Sequence, residues 1–269
     1  LRKEAVVGKV RGFTLAETLI TLGVIGVVAA ITIPVLSAKI EEKRTINKLN
    51  DTYAILSQAY RRGIAEEGSP EGWCTLETKG GWTEIEKCSE KMYEMFTKYL
   101  KVANYCNQAK TDSCFAPTYK NRKGVDIGRG NGMHRGFTLM NGVSVLINAA
   151  PGDNNTSTWC STSINILNQG KSNIAYWDYV GICGTLSVDL NGKSLPNTDG
   201  RDFFAFKMYN DGIAPMGRLG AHSQQNFEGN CMGTSFKNLG SCTYWVLENK
   251  NMDYLRCKDL SWNGKRSCK

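Results

Sequence analysis

A single carboxylate lies where a short basic stretch of the sequence gives way to a long uncharged one. Residues 12–17 read Gly-Phe-Thr-Leu-Ala-Glu, and the run from Thr18 to Ala38 that follows has no charged side chain. As a helix, this run would be about 30 Å long, which is enough to cross the hydrocarbon core of a bilayer. A carboxylate at the edge of such a segment is costly unless a cation pairs with it. Glu17 is therefore the first candidate functional residue, and its chemistry would be an ion pair.

The apolar run continues into an amphipathic segment without a turn signal. After Lys39, apolar residues recur at intervals of three and four, and charged residues occupy the other faces. The first loop signal is Gly68-Ser69-Pro70. We therefore predict one continuous helix from Phe13 to Ala65. Pro34 removes one backbone hydrogen bond, which predicts a kink in this helix.

Three interpretations fit this segment. A cleaved secretory signal would also have a basic start and an apolar core, with its cleavage site at Val28-Ala29-Ala30. A plain single-pass anchor accounts for the length of the run and for the basic residues before it. Neither interpretation accounts for Gly12, Phe13 and Glu17 occurring together.

The third interpretation is a resemblance. Residues 12–34 resemble the amino-terminal signature of type IV prepilins and of the pseudopilins of type II secretion. In that family a prepilin peptidase cleaves after the glycine at the cytoplasmic face and methylates the new amino-terminal phenylalanine. The matching residues are Gly12 before the cut and Phe13 after it, while the family's acidic residue and helix-kinking proline correspond to Glu17 and Pro34.

The resemblance implies a partner for Glu17, namely the amine of Phe13 on a neighbouring subunit of a filament. A buried carboxylate and ammonium offset each other's desolvation only when they pair closely, so the pair would fix the register between subunits. The alternative is that Glu17 lies at the lipid interface, where the helix dipole favours an acidic residue in the first turn.

The resemblance also implies an α+β fold and a division of the chain. Residues 1–12 would be the leader peptide, 13–38 the transmembrane and filament-core helix, and 39–67 its amphipathic continuation. Residues 68–269 would form a small, loop-rich, disulfide-stapled antiparallel β domain on which the helix docks, as in the lollipop shape of pilins. The precursor would span the bacterial inner membrane once, with a cytoplasmic leader and a periplasmic or extracellular domain, before it enters a filament. Its implied partners are the prepilin peptidase, other pilin or pseudopilin subunits, an inner-membrane assembly platform and membrane lipid.

All ten cysteines follow the apolar run. An even number confined to this part of the chain indicates an oxidising compartment and a disulfide framework. Zinc is the competing interpretation, but zinc sites usually contain closer cysteine pairs than any in this sequence. Spacing alone leaves the connectivity open, and our prediction pairs sequential neighbours: Cys74 with Cys88, Cys106 with Cys114, Cys160 with Cys183, Cys231 with Cys242, and Cys257 with Cys268.

The sequence after residue 70 predicts mostly strands and turns. Two hairpins are predicted, one with its turn at Asn141-Gly142 and one with its turn at Asn210-Asp211-Gly212. A further strand is predicted at Gly184 to Leu190 and a short amphipathic helix near Ser89 to Val102. The apolar segment from Thr243 to Glu248 fits either type of element.

One loop has the composition of a cation site. Residues 189–202 are rich in side-chain oxygens around glycine turns, and calcium takes six to eight oxygen ligands. The predicted calcium ligands are Asp189, Asn191, Asn197 and Asp202. The competing interpretation is a pair of turns in which these side chains cap their own backbone.

Other function classes have little support in the sequence. The net charge of +8 comes without a dense basic cluster or interleaved aromatic residues, so no nucleic-acid partner is predicted. His134 and His222 are the only histidines, and neither lies in a nucleophile or phosphate-binding motif. We therefore predict no catalytic residues and do not predict an enzyme.

Overall fold

The computed structural model describes residues 12–74, 82–106, 113–127, 135–149, 160, 182–217, 227–233 and 239–268. The leader residues before Gly12 and both histidines lie outside these residues. The chain divides into two compact units, residues 1–43 and 44–269, which are considered separately below.

The helix predicted for the amino-terminal part is present. Helix α1 runs over Leu15–Glu67, beginning and ending two residues later than predicted. In the first unit its apolar side chains are exposed, and none of the residues in its most apolar window is buried. Length and composition therefore fit a single membrane crossing. Helical structure continues through Pro34, and a kink at this residue stays a prediction.

The second unit is built on one antiparallel sheet. Its six strands follow each other in chain order, and each pairs with the next. The strands are β1 (Val102–Cys106), β2 (Arg135–Leu139), β3 (Ser144–Asn148), β4 (Gly184–Asp189), β5 (Phe203–Tyr209) and β6 (Gly212–Pro215). Both predicted hairpins are confirmed, as β2 with β3 and β5 with β6. The strand predicted from Gly184 is β4.

Two α-helices among the described residues of the second unit refine the predictions. Helix α2 covers Trp82–Tyr99, so it starts earlier and ends earlier than the predicted segment from Ser89 to Val102. Its buried stripe extends back to Ile85, before the start that the sequence pattern indicated. Val102 instead begins β1, whose side chains are mostly exposed and therefore lack an alternating pattern. The ambiguous segment from Thr243 is helix α3 (Thr243–Asn249).

The part of α1 within the second unit contributes to its core. Leu49, Leu56 and Tyr60 are fully buried, at the three- and four-residue spacing of one helix face. The Tyr60 hydroxyl donates a hydrogen bond to the carbonyl oxygen of Tyr209 (2.9 Å), and the ring of Tyr53 stacks on Phe206 with centroids 5.3 Å apart. The amphipathic pattern after Lys39 thus corresponds to packing against the β5–β6 hairpin.

Four of the five predicted disulfides are present: Cys106–Cys114, Cys160–Cys183, Cys231–Cys242 and Cys257–Cys268. The fifth pairing, of Cys74 with Cys88, is wrong for this structure, because both are buried free thiols. A hydrogen bond with Cys88 raises the pKa of the Cys74 thiol, and burial raises it further. Both thiols belong to the main hydrophobic core, where free cysteines pack as small apolar side chains.

Candidate functional site

The start of α1 is held by reciprocal hydrogen bonds between Thr14 and Glu17. The backbone N–H and the hydroxyl of Thr14 donate to Glu17 Oε2 at 2.8 and 2.9 Å, and the backbone N–H of Glu17 donates to Thr14 Oγ1 at 3.2 Å. Because Leu15 is the first helical residue, Thr14 occupies the N-cap position and Glu17 the third helical position. This arrangement is a capping box, in which a threonine and a glutamate satisfy helix-end donors for each other.

The capping box fixes where the Glu17 carboxylate lies. It accepts the N–H of Thr14, which belongs to the Phe13–Thr14 peptide bond, so the carboxylate lies next to the peptide bond that follows the one predicted to be cleaved. Phe13 itself is 85% exposed, and no atom lies within 4 Å of where a Cβ on Gly12 would be. The peptide bond predicted to be cleaved is therefore uncovered in the described part of the chain. Cleavage, methylation and the Glu17 ion pair remain predictions.

The sequence analysis did not single out Thr14, although a signal for it was present. The pattern Ser or Thr, two residues, then Glu or Gln before an apolar run is a recognised start of a helix. Thr14-Leu15-Ala16-Glu17 fits that pattern. Glu17 thus has a structural role within its own subunit as well as its predicted role between subunits, and the two roles can be separated by mutation.

Threonine hydroxyls inside the apolar run are satisfied by the helix itself. Thr18 Oγ1 donates to the carbonyl oxygen of Leu15 (2.8 Å), Thr21 Oγ1 to that of Thr18 (3.0 Å), and Thr32 Oγ1 to that of Val28 (2.9 Å). A hydroxyl without a partner would be costly in hydrocarbon. These bonds make the threonines compatible with a membrane environment.

In the loop predicted to bind calcium, the acidic side chains accept hydrogen bonds from the protein. Asp202 Oδ2 and Oδ1 accept the backbone N–H groups of Asn197 and Thr198, both at 2.7 Å. Asp189 accepts the Tyr119 hydroxyl through Oδ2 and the backbone N–H of Asn191 through Oδ1 (3.1 Å).

The two amides of this loop bind backbone carbonyls. The amide of Asn191 donates to the carbonyl oxygen of Leu195 (3.1 Å), and that of Asn197 donates to the carbonyl oxygen of Lys193 (3.4 Å). These contacts are those of side chains that cap turns. Among the described residues, no group of three acidic, histidine or cysteine side chains is placed to hold a metal. Calcium binding stays a prediction.

Asp189 is fully buried, which changes its titration. Burial, together with the nearby Asp202 carboxylate, raises the pKa of Asp189 to about 7 even though the Tyr119 hydroxyl bond opposes the shift. Unfolding returns this pKa to about 4. Between about pH 4 and pH 7 the folded protein therefore holds a proton that the unfolded chain does not, so stability conferred by the protonated carboxyl is lost as the pH rises through this range.

Asp189→Asn is expected to flatten the pH dependence of stability. In calcium-free buffer, the free energy of unfolding of the wild type should fall between about pH 4 and pH 7, by up to about 1.4 kcal/mol per pH unit from this group. The variant should show a shallower slope and gain stability relative to the wild type as the pH rises. Urea unfolding at a series of pH values measures both. The exposed Asp259→Asn is the matched control and should follow the wild type, while an unchanged slope in Asp189→Asn would contradict the assignment.

Comparisons with known proteins identify no similar protein. A scan against family models finds no match to the chain, and searches of curated proteins and of solved structures find none either.

Proposed function

We propose that this chain is the precursor of a structural subunit of a type IV pilus-like or type II secretion filament. The prepilin peptidase would cut between Gly12 and Phe13 and methylate the amine of Phe13. Helices from 13–38 would then form the filament core, and Glu17 of one subunit would pair with the Phe13 amine of another. The assembly platform in the inner membrane, other subunits and membrane lipid are the partners in this proposal.

The observation that carries the proposal is the carboxylate held at the start of an exposed apolar helix. Apolar surface of this kind inserts into a bilayer readily. Once it is in lipid, the hydrophobic effect gives little further drive for helices to associate, because lipid tails are as apolar as the side chains. Specific association then depends on close packing and on polar pairs, and Glu17 is the acidic residue available at this end of the helix.

The glycines of the apolar helix are consistent with close packing between subunits. Apart from the adjacent residues and the backbone of the helix itself, no atom of the described chain lies within 4 Å of where a Cβ would stand on Gly23 or Gly26. Nothing in the described part of this subunit therefore explains why these positions lack side chains. Small residues allow helix backbones to approach each other in a membrane.

The disulfides support a location for the second unit outside the cytoplasm. Disulfides form and persist in oxidising compartments such as the bacterial periplasm and the cell surface. In the proposed orientation the basic residues before Gly12 stay in the cytoplasm, as the positive-inside rule expects, and the disulfide-bonded unit is exported.

A second candidate function is a membrane-anchored extracellular domain that binds a ligand and does not polymerise. The apolar helix and the disulfides fit it equally well. It assigns no role to the Gly12–Phe13 bond or to the charge of Glu17, so leader processing separates the two functions.

Gly12→Val is expected to block leader removal. A β-branched side chain at this position would prevent the close approach that a peptidase needs to the backbone on the amino-terminal side of the cut. The intact mass of the membrane-extracted wild type should correspond to a chain that starts at methylated Phe13, whereas the variant should retain residues 1–12. Lys9→Gln, which changes the leader but keeps Gly12, is the control and should be processed. A wild-type chain that keeps its leader, or one that starts near Ile31 as a secretory signal would leave it, contradicts the proposal.

A further inference from the structure

A cavity of about 460 Å³ opens in the second unit, away from helix α1. Its walls come from segments that are far apart in the sequence, near residues 121–123, 199–201, 230–233, 239 and 254–258. The volume is in the range of sites for small molecules and is too small for a folded partner.

The lining of this cavity is strongly cationic. It contains five basic side chains and one acidic side chain: Arg122, Lys123, Arg201, Arg256, Lys258 and Asp199. Like charges that converge on one concave surface repel each other, and the low-dielectric walls of a cleft concentrate the resulting positive potential. An anion in the cavity would relieve this repulsion.

Some of these cations are held by the fold. Arg122 donates to the carbonyl oxygens of Tyr254 (2.6 Å) and Cys231, and its guanidinium lies 5.3 Å from the centre of the Tyr254 ring. Arg256 forms an ion pair with Asp253. The contacts of Arg122 fix one wall of the cavity, whereas the ion pair of Arg256 offsets the charge of that side chain.

Two other cations have no such contact. Arg201 and Lys258 are exposed at the cavity, and neither forms a side-chain hydrogen bond or an ion pair within the described parts of the chain. The fold does not use their charges, so they are available to a ligand.

The acidic side chain in the lining offsets part of this charge. Asp199 is only 8% exposed, and its Oδ1 accepts the backbone N–H of Gly240 at 2.7 Å. Burial raises its pKa to about 6, although the nearby Arg122 opposes the shift. Near pH 7.5 this carboxylate is therefore ionised and offsets part of the charge of Arg122, and the lining keeps a net positive charge.

The frame of the cavity is rigid. Cys231 and Cys257 belong to its lining, and each is anchored by a disulfide, to Cys242 and Cys268 respectively. The Tyr254 hydroxyl joins two wall segments by donating to the carbonyl oxygen of Gly200 (2.5 Å). A site whose walls are already fixed binds its ligand with less loss of conformational entropy.

We infer that this cavity binds a small molecule through an oxyanion group, either a phosphate or a carboxylate. Arginine and lysine both bind such groups through charge-assisted hydrogen bonds. Arg201 and Lys258 make the direct contacts, and Arg122 contributes fixed positive charge behind them. The inference does not depend on filament assembly, and it gives the exported unit a ligand site of its own.

The test is isothermal titration of the full chain in nonionic detergent at pH 7.5, with inorganic phosphate and with citrate as separate probes. At least one probe should bind saturably with one site per chain. Binding of phosphate alone indicates a phosphate-bearing ligand, and binding of citrate alone indicates a carboxylate-bearing one. Phosphate and citrate also stabilise proteins by exclusion from the surface. That effect does not saturate at one site, so the titration distinguishes it from binding.

The double variant Arg201→Gln with Lys258→Gln is expected to weaken binding by at least about tenfold, because hydrogen bonds to charged groups each contribute about 1.5–3 kcal/mol. Lys101→Gln with Lys193→Gln removes the same charge from exposed positions outside the cavity and should bind like the wild type. Both double variants should melt at the wild-type temperature in chloride. The inference is overturned if neither probe shows saturable binding, or if the cavity variant binds as tightly as the control.

Discussion

Glu17→Gln is expected to abolish incorporation of the chain into filaments while leaving the start of helix α1 intact. Glutamine serves at the third position of a capping box as glutamate does, so its side-chain oxygen can still accept the N–H and hydroxyl of Thr14. The variant loses only the negative charge. In a filament core this would leave the ammonium of Phe13 unpaired, and stranding one member of a buried pair costs about 3–5 kcal/mol. Incorporation should therefore fall by more than about a hundredfold.

A second variant, Thr14→Val, separates the role of Glu17 in the capping box from its proposed ion pair with another subunit. It removes the hydroxyl that caps the helix but keeps the carboxylate, and loss of a cap costs only about 0.5–2 kcal/mol of helix stability. We expect it to assemble at close to the wild-type level, and Glu17→Ala, which removes both features, to fail like Glu17→Gln. All three variants should insert into the membrane normally. Quantifying the chain in sheared filaments and in the membrane fraction measures these outcomes. Normal assembly of Glu17→Gln together with failure of Thr14→Val would show that Glu17 acts only as a cap.

Trp245→Ala is expected to cause a large loss of stability in the second unit. Trp245 is fully buried, its ring stacks on Phe227 with centroids 3.9 Å apart, and Trp262 lies 4.9 Å away. Its Nε1 donates to Asn251 Oδ1 at 3.0 Å. Truncation would leave a cavity between two large rings and remove one of the two hydrogen bonds that the Asn251 amide oxygen accepts. The free energy of unfolding should fall by about 3–5 kcal/mol, the usual range for replacing a buried tryptophan by alanine.

Urea unfolding followed by near-ultraviolet circular dichroism measures this effect in the full chain in detergent. Met140→Ala is the control, because Met140 lies in the β2–β3 turn and is 70% exposed. Its effect should stay within about 0.5 kcal/mol. A loss of less than about 1 kcal/mol in Trp245→Ala would mean that the cluster around this residue repacks, and that it contributes little to the core.

The parts of the fold that the sequence predicted well are those with strong local signals. Helix α1 has a long apolar run and then a regular amphipathic stripe, and the hairpins have Asn-Gly and Asp-Gly turns. The predicted pairing of sequential cysteines was correct for four bridges, whose partners are 8 to 23 residues apart. It was wrong for Cys74 and Cys88, which lie in the same core as two adjacent thiols.

What the sequence did not predict depends on contacts between distant residues. Strand β1 lies at the edge of the sheet and its side chains are mostly exposed. Its pairing with β2 determines its extended conformation more than its own side chains do. The cationic cavity was also missed, because Arg122, Arg201 and Lys258 are far apart in the chain and no local motif connects them. At the amino terminus, by contrast, the residue that was missed belongs to a local pattern. Thr14 could have been recognised from its spacing to Glu17 alone, since a capping box is a local pattern.

The proposed function is tested most directly by the amino-terminal mass of the chain recovered from filaments sheared off intact cells. The account predicts that the chain is present in this fraction, that it begins at Phe13, and that the amine of Phe13 carries a methyl group. Recovery of the chain only from membranes, as a monomer that still has residues 1–12, would contradict it.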